Sequence, residues 1–529
     1  MKKIKSITTN LQRVHPYSLD IGTTTPLRFC QPLSLCDSKC VNYYTSGGTW
    51  FFNPSPRLQS IDLITEHLRK TLSSTLDFYP QWAGELRQKD VNHSKDIRGK
   101  YGRLEFAYGT HNDPGVIFES AYTPEAISDI VPSLDRRIVE RPIWRRNQLL
   151  SDFFAPTDQP ANPTSCSTIA PSVAIKVTTC ADGGFIVGFR LNHSVADGST
   201  IMRFMNDWAN VSRAVLERRL IPGASPIFRP EQVDGHAGNI ESSTPNAELL
   251  TLANTLPMAQ FDTWLPPPGS DRFLVPAELE DVSEAYQPAG EPFPWSDLDP
   301  SVRCVFTTIH LRPRHIENIC NTARRGLSTR LSRNDLLLAH IWRSINRARG
   351  IDSDDRLTHA YIGVGIRSRL SPPLPGALVG SPVLMADVAM SGNAMNASSI
   401  AEIATNVRST ISKFDGKTIG AELHRTAYQL SPYRIANAFV GRRQIIATSV
   451  TSLNPYQPDF GISGTPRYVE LDLPASNGIV LFESAPSVRP DRHPFAPFSN
   501  GVDITVVLAE EEMDRLLKDP LLRPESDLS

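Results

Sequence analysis

No apolar run in this sequence approaches the ~20 residues that cross a bilayer, so a membrane span is not expected. The basic start MKKIKSITTNLQRVHPYSLD lacks the apolar stretch of a secretory leader, and a cytoplasmic location is expected instead. Cysteine is sparse and odd in number, seven in 529 residues, which argues against a disulfide framework. Cys36 and Cys40 form one CxxxC without a second pair, so no metal site is expected. Neither sign of charge is in excess: the net charge is -2, with 21% charged and 40% hydrophobic residues. Nothing there calls for a nucleic-acid partner or an anionic membrane surface. GxSxG, HExxH and GxxxxGKS/T are absent too, which leaves esterase, zinc-peptidase and P-loop chemistry without support.

The chain is long enough for two domains. In residues 58–76, Leu58, Ile61, Ile64, Leu68, Leu72 and Leu76 recur at steps of three and four, which predicts an amphipathic helix ended by Tyr79-Pro80. VAIKVTTC at 173–180 and FIVGFRLNH at 185–193 predict two strands joined by the Asp182-Gly183-Gly184 turn. With a period of two, Phe185, Val187, Phe189, Leu191 and His193 share one face, so His193 stands at the rim of a core. Over 199–214, Ile201, Phe204, Met205, Trp208 and Ala209 predict a helix with one buried stripe.

Residues 222–300 are crowded with proline, which predicts a long crossover with a short helix near 246–255. Beyond it, strands are predicted at 303–311, 360–367 and 502–508. Helices are predicted at 332–347, where Ser332 and Asp335 have capping-box spacing, and over EEEMDRLLKD. Strands and helices mix throughout, so the class is α/β or α+β in two lobes.

The segment that carries chemistry is His193-Ser194-Val195-Ala196-Asp197-Gly198. A neutral imidazole is the usual general base near pH 7. A carboxylate four residues on can fix the loop, and Gly198 permits a sharp entry into the helix. HxxxD by itself is weak, because a structural histidine with satisfied hydrogen bonds fits the same pattern. Other segments strengthen it. LRKTLSSTLDFYPQWAGELR at 68–87, FIVGFRLNHSVADGSTIMRFMNDWA at 185–209, SRNDLLLAHIWRSINRARG at 332–350, GIRSRLSPPLP at 365–375 and TSVTSLNPYQPDFG at 448–461 follow in order. Together, over nearly the whole length, they resemble the HxxxD/DFGWG acyltransferases known as the BAHD family, with Val450 and Ile462 departing toward its fungal branch.

The resemblance implies two similar lobes of the chloramphenicol-acetyltransferase-like fold. The first, 1–221, carries the HxxxD loop; 222–300 is the crossover; 301–529 carries the CoA-side helix and the DFG motif. It implies a monomer that holds no permanent cofactor and takes acyl-CoA, with acetyl the expected group, and a small-molecule acceptor. His193 matches the general base, and Asp197 a structural aspartate paired with Arg367. Thr448 matches a hydroxyl that stabilises the tetrahedral oxyanion; Val450 stands where the family often has tryptophan. Asp459, Phe460 and Gly461 match the start of DFGWG, which continues here as Ile462-Ser463-Gly464. Ser332 and Arg333, within a cluster with Arg324, Arg325 and Arg330, lie where the family contacts CoA, and a helix start beside arginines suits phosphate. Two other readings stand beside this one. One is a peptide-synthetase condensation domain, whose first motif histidine is here Asn192. The other is a catalytically inactive binding module on the same fold.

Overall fold

The computed structural model describes residues 7–22, 27–43, 45–58, 61–89, 101–134, 136–137, 143–146, 151–157, 160, 171–324, 330–486 and 495–524. Two mixed sheets carry the fold. The first runs in the order Ile7–Val14, Val116–Thr123, Val173–Cys180, Phe185–Leu191, Ser46–Phe52, Tyr468–Leu471. The second runs Val383–Ser391, Leu357–Gly365, Gln444–Ser449, Ile479–Ser484, Val502–Ala509, Cys304–Leu311, Ile143–Arg146. Sheet membership departs from chain order twice: Ile143–Arg146 ends the second sheet and Tyr468–Leu471 ends the first. Neither segment has a local signal for this, because an edge strand's partner is chosen by distant backbone groups left unpaired.

The hairpin that carries the HxxxD segment forms because its pattern and its turn agree. Gly183 sits at φ +84°, a conformation that favours glycine, and Asp182 accepts the Gly184 N–H at 3.0 Å. Phe185, Val187, Phe189 and Leu191 are fully buried in the first lobe's core, with Leu68, Leu72, Phe204 and Trp208 from helices Ile61–Leu76 and Gly198–Leu216. Burying a side chain of this size contributes about 1.5–3 kcal/mol, so the hairpin is a rigid base for the loop beyond it. The returning strand stops at Leu191, two residues short of the predicted end. Asn192 turns its side chain back to accept the Ser194 N–H at 2.9 Å, which breaks the ladder and frees His193 from it.

Other boundaries shift for local reasons. The first amphipathic helix begins at Ile61; Leu58 precedes it, its N–H bound to the Ser55 hydroxyl. The helix predicted at 332–347 runs Arg333–Arg349, and Gly350 ends it in the left-handed conformation. The strand predicted at 360–367 is Leu357–Gly365; Ile366 and Arg367 leave it, the Ile366 N–H bonding Pro382.

Helices Pro313–Arg324, Arg333–Arg349, Ile400–Ser412 and Glu510–Lys518 bury one face of the second sheet through Ile445, Ala447, Val480, Ile504 and Val506. The opposite face is left to other partners. The proline-rich crossover is one of them: its strand Phe261–Asp262 pairs with Ile435–Ala436, and its Phe293 and Trp295 pack on Phe439. The predicted short helix is present as Ala247–Ala253.

Candidate active site

His193 lies in the turn between its strand and helix Gly198–Leu216, surrounded by protein yet partly open to solvent. Burial lowers the pKa of the imidazole below its ordinary value; a hydrogen bond to its own backbone and the charge of Asp197 offset part of that. The ring is therefore neutral at pH 7. Its Nδ1 lies 2.9 Å from the Ser381 hydroxyl, and the Tyr43 ring meets it edge-on at 5.5 Å between centroids.

Ser381 is fully buried and held from both sides. Its N–H donates to Asp37 at 2.6 Å, and its hydroxyl lies 3.6 Å from the Cys40 sulfur. Asp37 closes a capping box with Ser34 at the start of helix Leu35–Lys39. Burial raises the Asp37 carboxyl to about 6, against the hydrogen bonds from Ser34 and Ser381. Neither Ser381 nor Tyr43 was singled out from the sequence. They carry no motif, and they reach His193 through segments far apart in the chain.

Asp197 faces away from that ring. It caps helix Gly198–Leu216 by accepting the Thr200 N–H at 3.0 Å. It also forms a two-point pair with the Arg367 guanidinium, through Oδ2 to Nη1 and through Oδ1 to Nη2 at 3.1 Å. Arg367 further donates to the Thr200 hydroxyl at 3.0 Å and to the carbonyls of Leu378 and Gly380 at 3.1 and 3.2 Å. The Asp197 N–H and the Thr200 hydroxyl also donate to the Gly380 carbonyl, at 3.1 and 2.9 Å. One latch thus ties the HxxxD loop to the segment that presents Ser381. Asp197 and Arg367 are both largely buried, and their two-point contact is a charge-assisted pair.

Thr448 is exposed on the inner strand Gln444–Ser449. Two residues on, Val450 approaches the other side of Gly198: a Cβ there would meet Leu453 at 3.1 Å and Val450 at 4.0 Å. The strand end bearing Thr448 thus abuts the HxxxD loop. Ser332 caps helix Arg333–Arg349 in a capping box with Asp335, and Arg408 binds both side chains, Ser332 at 3.1 Å and Asp335 at 2.6–2.9 Å. The Ser332 oxygen is thereby already engaged as an acceptor. Around it Arg330, Arg333, Pro497 and Phe498 line an open groove of about 530 Å³, with the Arg333 guanidinium over the Phe498 ring. Arg324 ends helix Pro313–Arg324, and Arg325 lies outside the described residues. Ser449 and Thr451 bond Asn334 at 3.3 and 3.4 Å, joining the groove's helix to the Thr448 strand.

The DFG segment stands elsewhere, against helix Gly198–Leu216 at Trp208 and Ser212. Phe460 packs edge-on against Trp208 at 5.0 Å, and its carbonyl accepts from Ser212 at 2.8 Å. Asp459 accepts the Gly461 N–H at 2.8 Å and pairs with Arg213 at 3.7 Å. Gly461, at φ +75°, lies against the Arg213 backbone, where a Cβ would come within 3.2 Å of its Cα. Ile462 is buried in the same core. These residues brace the helix that follows the HxxxD loop and do not touch His193.

Comparison with known proteins agrees with this architecture. Residues 23–522 match the profile of the Transferase family. Acyltransferase AFT15-1 of Alternaria alternata is 26% identical over 508 residues, covering 93% of this chain and 94% of that protein. In structure the chain is similar to vinorine synthase (TM-score 0.59, 18% identity, 97% of this chain and 96% of the other). It is also similar to TRI101 of F. graminearum in complex with coenzyme A and deoxynivalenol (TM-score 0.62, 15% identity, 93% and 98%). With that match over 23–522 and the HxxxD and DFG segments in one fold, the chain belongs to the Transferase family, the BAHD-type acyl-CoA-dependent acyltransferases.

Proposed function

We propose that this enzyme moves an acyl group, acetyl in the first instance, from acyl-CoA directly to a hydroxyl or amine of a specialised metabolite, with His193 as general base. The observation that carries the proposal is the neutral His193 ring, held by Ser381 through Nδ1. That contact leaves Nε2 to take the acceptor proton as the oxygen or nitrogen attacks the thioester carbon. The tetrahedral intermediate then expels the CoA thiolate, which recovers the proton from the imidazolium. Thr448 is the proposed donor to the oxyanion; one such donor can be worth about 10²–10³ in rate. Arg330 and Arg333 are proposed to meet CoA phosphates in the groove at the helix start, with the Ser332 hydroxyl proton as a further donor. In this division 1–221 supplies the base, 301–529 the CoA side, and 222–300 joins them. The cited relatives, an acyltransferase and a protein crystallised with coenzyme A and deoxynivalenol, support a CoA thioester and a small-molecule acceptor.

Direct transfer, without an acyl-enzyme, is supported by how the hydroxyls and thiol described near His193 are held: Ser381 is fully buried, its oxygen already engaged with His193 Nδ1 and the Cys40 sulfur. Ser194 is fully buried. The Cys40 thiol is pushed up to about 12 by burial, so it stays protonated. Varying both substrates is expected to give intersecting initial-velocity lines, and intact-mass spectra after acyl-CoA alone to show no stoichiometric adduct. Parallel lines, with an adduct that the acceptor discharges, would refute the mechanism.

Ser381 is expected to act by fixing the imidazole. Ser381→Ala should lower kcat by about 10²-fold, the cost typical of a slightly misplaced catalytic group, while Ser381→Thr should recover most of it. The acid limb of kcat/KM should reflect a His193 pKa below 6.5, because the neutral form is the active one and burial keeps it neutral at lower pH. An acid limb above that value, or equal losses in Ser381→Ala and Ser381→Thr, would count against the role.

A further inference from the structure

The face of the second sheet that the helices leave uncovered continues from the His193 site into an apolar chamber. On strand Leu357–Gly365 the residues of that face are His359, Tyr361, Gly363 and Gly365, two apart. Their cross-strand neighbours are Asp387, Met385 and Val383 on one side and Ile446 on the other, with Thr448 next along the same face. Both strands lie inside the sheet, yet Gly363, Gly365 and Thr448 are exposed. A Cβ built on Gly365 meets no atom within 4 Å, and one on Gly363 meets only the Thr448 hydroxyl, at 3.8 Å. Open space therefore stands over the second and third of the sheet's seven strands, beside the proposed oxyanion donor.

Along the same face stands an aromatic cluster. Tyr361, Met385 and Phe439 form one cluster, and Tyr43, Phe293 and Trp295 pack against it, partly exposed. Tyr43 is also the ring that meets His193, so the chamber is continuous with the base. Phe293 and Trp295 come from the crossover and lie 5.5 and 5.9 Å from Phe439. The far end is polar: His359 Nδ1 lies 2.9 Å from Asp387, and the His359 ring stacks on Tyr361. Val383 and Asp387 are four residues apart in an extended strand, so the apolar floor runs roughly 13 Å.

We infer that this chamber holds the acceptor, and that the acceptor is a flat, apolar body, a fused-ring or polyene alcohol or amine, lying on the Gly363–Gly365 floor with its nucleophile at His193. The inference rests on the acyltransfer reading above and adds the substrate class. Flatness follows from the floor: without Cβ atoms, the strand backbone itself is the contact surface, and the aromatic cluster beside it favours stacked contact over globular bulk. The crossover then does more than link the lobes, since two of its rings close the acceptor side.

Binding can be read without acyl-CoA, so that failed transfer strikes the function proposed above and failed binding strikes this chamber alone. The fluorescent probe 1-pyrenemethanol, flat and apolar, should bind the full-length enzyme about tenfold or more tightly than 1-adamantanemethanol, which is apolar but globular. Gly363→Val places a β-branched side chain where a strand accepts it and the chamber is open. It should weaken 1-pyrenemethanol binding by about tenfold or more and leave CoA binding unchanged. Trp295→Ala, on the crossover, should weaken the probe in the same direction. Equal affinity for the two alcohols, or unchanged 1-pyrenemethanol binding in a folded Gly363→Val enzyme that still binds CoA, would overturn the inference. If Gly363→Val does not fold, Trp295→Ala and the two-alcohol comparison decide it by the same criteria.

Discussion

His193→Ala is expected to lower kcat by about 10²–10⁴-fold, the range over which a positioned general base acts, while the thermal transition stays where it is in the unaltered enzyme. The two halves of this expectation have separate causes. Activity falls because the acceptor would have to lose its proton to water during attack on the thioester. Stability holds because the turn does not depend on the imidazole. Asn192 and Ser194 close the turn through a side-chain-to-backbone bond, and Asp197 and Gly380 hold the loop from the other side. The lost contacts are one hydrogen bond to Ser381 and the edge of Tyr43. Steady-state kinetics with saturating acyl-CoA, beside calorimetry of the same preparations, checks both. A kcat within tenfold of the unaltered enzyme in a folded variant would remove His193 from the mechanism.

Asp197→Ala should behave in the opposite way, losing stability and activity together. The substitution leaves the Arg367 guanidinium largely buried without its carboxylate, a loss of about 3–5 kcal/mol when one partner of a buried pair is removed. It also removes the cap on the Thr200 N–H, worth about 1 kcal/mol. Asp197→Asn keeps the cap and loses only the charge, so it should fall between. Replacing both Asp197 and Arg367 with apolar residues should cost less than the sum of the single changes, because the double variant leaves no unpaired charge. Calorimetric midpoints of these three variants and of the Arg367 single change test this. Additive losses, or an Asp197→Ala enzyme as stable as the parent, would show that the latch does not hold the loop. Activity should follow stability here, since the latch ties the HxxxD loop to Gly380, next to Ser381.

The contrast between these variants shows which features were legible in the chain. The hairpin at 173–191 could be placed to within two residues, because alternation, a Gly-containing turn and a following amphipathic helix agree. The same holds for the capping box at Ser332 and Asp335, where a three-residue spacing is itself the interaction. The order of the HxxxD, GIRSRL and DFG segments pointed to the family, and from it to Arg367 as the partner of Asp197. The contact itself spans 170 residues, and no local pattern encodes it.

Local pattern by itself determined the hairpin at 173–191, the helices beside it and the capped helix at Ser332, and motif order pointed to the general base as a candidate and to the class of reaction. The elements rest on residues near one another in the chain, where period, capping and turn chemistry act, while the class of reaction rests on the order of motifs spread from 68 to 461. Only the tertiary structure decided which hydroxyl meets His193, which strands the two sheets exchange, and what stands opposite the base. Ser381, Tyr43 and the glycine floor at Gly363 and Gly365 come from separate stretches of chain. Each looks ordinary until packing sets it beside the histidine, because burial and close approach depend on the whole fold.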